Sequence, residues 1–234
     1  MEKHLRRTPT LQDWLQVYLS NKFTFLLLSI LTLLLVEPFV RPVQFPVLPL
    51  FFFFVILSVL WAMKLRPALF YLCVGLAVMA AVFDAIMVRQ GGEALDLSHP
   101  TLAVYLTLSI YLMFLFIAIQ MMAWRIFTAQ SVSLDTLLGG IAVYFLMGIF
   151  WAMLFQLILV ADPSSLKYSG SFPHFAELLY FSFVTLTTVG YGDISPISAF
   201  ARNLSILEAA TGQIFLTVFI ARLVGLHLAK LNSK

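Results

Sequence analysis

Residues 185–196 read TLTTVGYGDISP and interrupt a chain that is otherwise strongly apolar. Glycine loses more conformational entropy on folding than any other residue, and it adopts backbone conformations that side chains forbid. Gly190 and Gly192, on either side of Tyr191, therefore indicate a backbone that leaves the regular helix or strand. Such a backbone can aim successive carbonyl oxygens in one direction, and carbonyl oxygens are ligands for hard cations.

The amino-acid composition indicates whether this segment belongs to a soluble or a membrane protein. Hydrophobic residues make up 62% of the 234 residues, charged residues make up 11%, and the mean hydropathy is +0.99. Soluble domains have about 45–50% apolar residues, so the sequence predicts an all-α integral membrane protein. The N-terminus lacks the pattern of a cleavable signal peptide, and the single Cys73 allows no intrachain disulfide. The net charge of +3 does not require a nucleic-acid partner.

Six apolar runs come close to the roughly 20 residues that a membrane-spanning helix needs. The predicted spans are Phe23–Val40, Val43–Met63, Ala68–Val88, Thr101–Trp124, Leu134–Val160 and Phe200–Gly225. With the N-terminus inside, four basic residues fall in outer segments and the other ten of the 14 Lys and Arg residues fall in inner ones. This bias predicts a multi-pass protein of the cell (inner or plasma) membrane with both termini in the cytoplasm.

A seventh apolar run, Phe172–Thr187, is too short to span the membrane. As a helix it would be about 20 Å long, whereas the hydrocarbon core is about 30 Å thick. Ser171 is a candidate N-cap, Pro173 suits the first turn, and Glu177 lies near the positive end of the helix dipole. Because the fifth span ends outside and the sixth begins there, we predict a re-entrant pore helix followed by a loop at membrane depth.

This arrangement carries a resemblance to a known family. TTVGYGD after a short aromatic helix is similar to the selectivity filter of potassium channels, and residues 134–225 resemble the pore of the six-transmembrane tetrameric potassium channel superfamily. The inner-helix segment LEAATGQIFLTVFIARLVG also looks like that of prokaryotic voltage-gated-like members, but this chain lacks their arginine ladder in the fourth span. The resemblance implies that the ion path is lined by Thr188, Val189, Gly190, Tyr191 and Gly192, the first four of which would hold K⁺.

The resemblance has a physical basis. A K⁺ ion that crosses the bilayer loses water, and neutral backbone carbonyls can replace that water without trapping the ion. Val189 and Tyr191 would then turn their side chains away from the ion path and brace the loop against the pore helix. One chain supplies one such loop, so the resemblance implies a homotetramer in the lipid bilayer, with K⁺ ions in the filter and no cofactor.

The resemblance also assigns supporting residues, with some departures from the family. Tyr180 and Phe181 occupy the positions of two tryptophans in many members, and Val184 replaces a glutamate that some members carry. Thr187 and Asp193 adjoin the filter; Tyr180 is the candidate partner of Asp193, and the alternative is that Asp193 faces water. Gly212 matches the glycine that bends the inner helix during gating, and close helix packing is the alternative role.

The predicted organisation has four parts. Residues 1–22 form a cytoplasmic segment, 23–127 a four-helix sensor-like domain, 128–226 the pore domain, and 227–234 a short cytoplasmic tail. For Asp84 in the third span, a structural hydrogen bond is favoured over a functional role. The sequence offers no catalytic arrangement and no histidine pair at metal-ligand spacing, so we predict no enzyme activity.

The predicted function is passive, K⁺-selective conduction. Two alternatives remain open at this point: a non-conducting or regulatory subunit of a heteromeric channel, and a channel that a lipid or another ligand opens. A K⁺ transporter is disfavoured, because such proteins carry four loops in one chain, usually with single filter glycines.

The fourth span predicts a voltage-independent channel. It reads TLAVYLTLSIYLMFLFIAIQMMAW and has no basic residue before Arg125 at its inner end. Steep voltage dependence takes 3–4 gating charges per subunit, each worth about 2.3 kcal/mol per 100 mV. We expect open probability to change little with voltage in planar bilayers, and a Boltzmann slope of several charges per channel would contradict this prediction.

Tyr180 generates a second prediction. If its hydroxyl holds Asp193, the Tyr180→Phe substitution removes that bond and leaves the ring in place. We expect slow inactivation to change in rate, measured as the decay of K⁺ current during sustained opening. Unchanged kinetics would mean that Asp193 is held by another group or by water.

Overall fold

A computed structural model describes residues 22–40, 75, 102–168 and 175–232. Apart from residue 75, the predicted second and third spans, with Cys73 and Asp84, lie outside these residues. Within them the helices and the two short strands are, in chain order, α1 (Lys22–Val40), α2 (Leu102–Thr128), α3 (Leu134–Ala161), β1 (Leu166–Lys167), α4 (Phe175–Leu186), β2 (Ser195–Pro196) and α5 (Ala199–Asn232).

The described part is mostly helical, as an all-α membrane protein requires. Three of its helical segments are long and apolar enough to cross a membrane, namely Val104–Thr128, Leu134–Ala161 and Ala199–Leu231. Helices α1, α2, α3 and α5 coincide with the predicted first, fourth, fifth and sixth spans. Helix α5 continues past the predicted end at Gly225 to Asn232, because the residues that follow Gly225 include good helix formers and neither glycine nor proline.

Helix α3 is the centre of the bundle, and α1, α2, α4 and α5 all pack against it. In its most apolar stretch of 18 residues, 61% of the residues are buried inside the chain. The buried side chains recur at helical spacing, as in Ala142, Leu146, Ile149 and Met153, each of which has no exposed surface. Ser133 caps the helix by accepting a hydrogen bond of 3.1 Å from the Thr136 amide, which satisfies one of the free donors of the first turn.

The ends of the helices near the predicted cytoplasmic face are tied together by polar contacts. The Phe23 amide of α1 donates to Asp135 Oδ1 at 3.4 Å, and the Arg125 guanidinium lies 5.8 Å from the centroid of the Phe23 ring. Arg222 Nη2 of α5 donates to the Ala129 carbonyl at 3.0 Å. Helix α5 is thereby bonded to the linker between α2 and α3.

A short β ladder connects the two segments that flank α4. Leu166 of β1 lies opposite Pro196 of β2 in antiparallel register. The Ser165 carbonyl accepts the amides of Ile197 at 2.8 Å and Ser198 at 3.2 Å. The ladder therefore joins the end of α3 to the start of α5 and closes a loop that contains α4 and the VGYGD segment.

Helix α5 leaves most of its apolar surface uncovered. In its most apolar stretch of 18 residues, only 11% of the residues are buried within the chain, whereas in α3 the fraction is 61%. The covered face includes Phe215 and Phe219, which stack on each other with ring centroids 5.8 Å apart. The exposed apolar side chains are Phe200, Ile206, Leu207, Ile214, Val218, Ile220, Val224, Leu228 and Leu231. A face of this kind needs lipid or another subunit.

Two glycines let α4 approach its neighbours closely. A Cβ added to Gly148 of α3 would lie 2.6 Å from the Phe183 ring, and one added to Gly212 of α5 would lie 2.6 Å from the Leu186 carbonyl oxygen. Contacts under 3.0 Å are not formed by real Cβ atoms. This close approach favours the packing role of Gly212; its role as a hinge stays a prediction.

We predict that Gly212→Ala destabilises the protein. Overpacking of a tight contact costs about 1–3 kcal/mol, and the backbone oxygen of Leu186 cannot rotate away as a side chain would. Gly225→Ala on the same helix is the matched control, because no atom lies within 4 Å of its added Cβ. Thermal unfolding in detergent should show a lower Tm for Gly212→Ala and no loss for Gly225→Ala. Equal Tm values would mean that the contact at Gly212 is not tight.

Candidate functional site

The site begins with the short helix α4, which packs on α3 by its buried face. Its buried residues are Leu178, Leu179, Phe181, Ser182 and Leu186. Glu177 lies in its first turn, and the predicted cap residues Ser171 and Pro173 lie outside the described residues. With 12 residues, α4 is about 18 Å long, which is shorter than the hydrocarbon core.

The chain leaves α4 in a turn whose amides fold back onto the helix. The Thr187 amide donates to the Phe183 carbonyl at 3.0 Å and the Thr188 amide to the Thr185 carbonyl at 2.9 Å. The Val184 carbonyl then accepts two amides, from Val189 at 2.9 Å and Gly190 at 3.2 Å. Four consecutive amides are therefore satisfied by the last turns of α4, which is what the predicted position of this segment at membrane depth would require.

The backbone after this turn alternates in handedness. The φ angles of Thr188, Gly190 and Gly192 are +62°, +58° and +81°, whereas Val189 and Tyr191 are not in the positive-φ region. Alternation of right- and left-handed conformations turns successive N–H groups toward one side, which leaves the carbonyl oxygens for the other. Because the amides of residues 189 and 190 point at α4, the segment can offer a row of uncharged oxygen ligands on the side away from α4.

Thr188 is the residue whose conformation the sequence did not indicate. A left-handed φ is uncommon for a residue other than glycine, and such strain of about 1–3 kcal/mol persists only where the surroundings fix it. Here the backbone is fixed by hydrogen bonds: the Thr188 amide donates to the Thr185 carbonyl, and the Val184 carbonyl accepts the amides of the next two residues. Gly190 and Gly192 have open space around an added Cβ, so the requirement for glycine there comes from the backbone.

Tyr191 contacts α4 through Tyr180. The two rings are stacked with centroids 6.3 Å apart and an angle of 2° between their planes. The Tyr180 hydroxyl and the Asp193 carboxylate lie close enough to interact, so the structure brings the two residues of the predicted pair near each other. A hydrogen bond between them stays a prediction.

The other predicted supporting residues lie in different surroundings. Phe181 is buried and packs edge-on against Phe155 of α3, with ring centroids 4.8 Å apart. Thr187 is exposed, and its hydroxyl donates to the Phe183 carbonyl at 2.6 Å. Val189 and Tyr191 are 54% and 71% exposed in the single chain, so within one subunit the bracing is limited to the ring contact with Tyr180.

A polar contact behind α4 was missed by the sequence analysis. Ser182 Oγ lies 2.7 Å from the Gly148 carbonyl oxygen of α3 and 2.5 Å from Glu208 Oε1 of α5. Tyr144 of α3 also donates to the Leu186 carbonyl at 3.4 Å. The signal for Glu208 was present in the sequence, because an ionisable residue inside a predicted membrane span indicates function by default.

Comparisons with known proteins found one family and one relative that parts of this chain resemble. Residues 132–226 match the protein family described as "Ion channel". A 59-residue segment is 44% identical to "Two-pore potassium channel 4" of Arabidopsis thaliana, and it covers 25% of this chain and 20% of that relative. The match therefore spans about a fifth of the relative's length. No solved structure matches the chain significantly.

The family match contains α3, α4, the VGYGD segment and most of α5, which are the elements that form the site. The two comparisons point to transport through a membrane and away from catalysis. Together with the apolar helices, they support a multi-pass membrane protein with an ion-channel domain of the potassium channel kind.

Proposed function

We propose that four copies of this chain form a K⁺-selective channel whose filter is the VGYGD segment. The observation that carries the proposal is the alternation of φ at residues 188–192, with the amides of Val189 and Gly190 directed at α4. The opposed carbonyls of Thr188, Val189, Gly190 and Tyr191 take the place of the hydration shell of K⁺.

The tetramer follows from the number of loops and from the uncovered face of α5. A single loop lines one side of an ion, and a closed ring of identical loops needs rotational symmetry. The exposed apolar residues of α5 and the exposed ring of Tyr191 are available to neighbouring subunits. Four symmetric copies would cover these surfaces and surround the ion path.

The electrostatics of α4 favour a cation at the base of the filter. The C-terminal end of a helix carries about −0.5 of an elementary charge, and α4 ends at Leu186 next to Thr188. The Thr188 hydroxyl adds an oxygen at this end. No formal charge is needed at the site, so the ion is attracted without being held permanently.

The remaining features of the proposal concern topology and gating. We propose six spans with a re-entrant pore helix, cytoplasmic termini and no voltage sensor, because α2 carries no basic residue before Arg125. The four helices of residues 23–127 then act as a sensor-like domain without gating charge. Gly212 remains the candidate hinge.

The proposal predicts selective K⁺ flux from the purified protein alone. In liposomes we expect barium-sensitive flux of K⁺ and no comparable flux of Na⁺. Gly190→Ala is the control, because a side chain at a left-handed position costs about 1–2 kcal/mol and disturbs two carbonyls without filling an occupied space. Its flux should be lost while the tetramer, measured by light scattering, is retained.

Two results would contradict the proposal in different ways. Equal K⁺ and Na⁺ flux would show that the filter does not select, and that the tryptophans replaced by Tyr180 and Phe181 matter more than the VGYGD signature. A tetramer without flux under any lipid composition tested would favour the alternative of a subunit that needs a partner.

A further inference from the structure

Glu208 is a carboxyl group buried between three helices. It lies in α5 with no exposed surface, and its Oε1 atom is 2.5 Å from Ser182 Oγ of α4. Within the described residues its Oε2 atom is buried and has no hydrogen-bond partner. Tyr144 of α3 is a further titratable group near it. A charged carboxylate in such a place is costly unless it is paired.

The protonation state of Glu208 depends on which of two oxygens receives the single proton of the Ser182 hydroxyl. Ser182 Oγ also lies 2.7 Å from the Gly148 carbonyl oxygen, and a carbonyl can only accept. A serine hydroxyl has one proton to donate, so it cannot serve both oxygens at once. If Ser182 donates to Gly148, the proton between Ser182 and Glu208 has to come from the carboxyl group.

The contact is well placed to act on the filter. Ser182 lies two residues before Val184, whose carbonyl holds the amides of Val189 and Gly190. One helical turn further along both helices, Gly212 of α5 meets Leu186 of α4. Helix α5 therefore contacts α4 at two successive turns, at Ser182 and at Leu186. The contact at Ser182 is a hydrogen bond, so it constrains the direction as well as the distance between the two helices.

We propose that Glu208, as a neutral carboxylic acid, is a positioning residue of the filter: it donates to Ser182, Ser182 donates to the Gly148 carbonyl, and this chain of bonds fixes α4 between α3 and α5. The proposal rests on the K⁺-channel function proposed above. It adds a determinant of selectivity that lies outside the VGYGD segment and does not touch the ion.

The first test compares selectivity among variants of the full chain in planar bilayers. Glu208→Gln can still donate to Ser182, so it should keep the wild-type K⁺/Na⁺ permeability ratio taken from the reversal potential. Glu208→Ala and Ser182→Ala break this chain of hydrogen bonds. We expect both to lower that ratio, by up to roughly tenfold if the whole contribution of one buried hydrogen bond is lost from the selectivity. Ser205→Ala is the matched control, because that hydroxyl bonds the Ala201 carbonyl of its own helix.

The second test reads the proton directly. The infrared difference spectrum of wild type against Glu208→Gln should contain the carbonyl stretch of a protonated carboxyl group. Carboxylate bands in its place would overturn the neutral state of Glu208. This measurement needs no ion flux, and it applies even if Glu208→Ala fails to assemble.

The outcomes separate this inference from the function on which it rests. Wild type without selective flux would contradict the proposed function, whatever the infrared result. Selective wild-type flux that Ser182→Ala and Glu208→Ala leave unchanged would overturn the positioning role alone. A loss in both alanine variants with rescue in Glu208→Gln would support it.

Discussion

The structure depends on how α4 ends. In the proposed re-entrant arrangement there is no water for amides that leave a helix, so the groups of residues 187–190 would have to find acceptors within the protein. They find them in the last turns of α4, and the Val184 carbonyl takes two of them. With these amides bonded to α4, the proposed filter would have its carbonyls on the opposite side. One requirement of backbone hydrogen bonding would then position a row of oxygens.

Everything else around α4 serves to hold that helix end in place. The missing side chains of Gly148 and Gly212 allow α3 and α5 to approach it closely. Tyr144 donates to its last carbonyl, and Ser182 joins it to both neighbours. These contacts come from α3 and α5, the helices before and after α4 in the sequence, so the geometry of a five-residue segment depends on how all three helices pack.

The sequence was sufficient for features that local patterns determine. Apolar length located α1, α2, α3 and α5, and the glycines located the segment with positive φ. It was not sufficient for Thr188, whose left-handed backbone is imposed by neighbouring hydrogen bonds and not by its residue type. Glu208 could have been singled out as an ionisable residue inside a predicted span, but only the packing of α5 on α4 shows that Ser182 is its partner. The second and third spans lie outside the described residues and stay predictions.

The two-residue ladder between Leu166 and Pro196 has a consequence for how this region comes apart. The ladder joins the two ends of a loop of nearly 30 residues. The entropy lost on closing this loop is therefore lost once, for α4 and the segment after it together. Opening the ladder releases both together. Amide hydrogens in α4 and in residues 187–190 should therefore exchange with solvent as one cooperative unit, even though one part is a helix and the other is not.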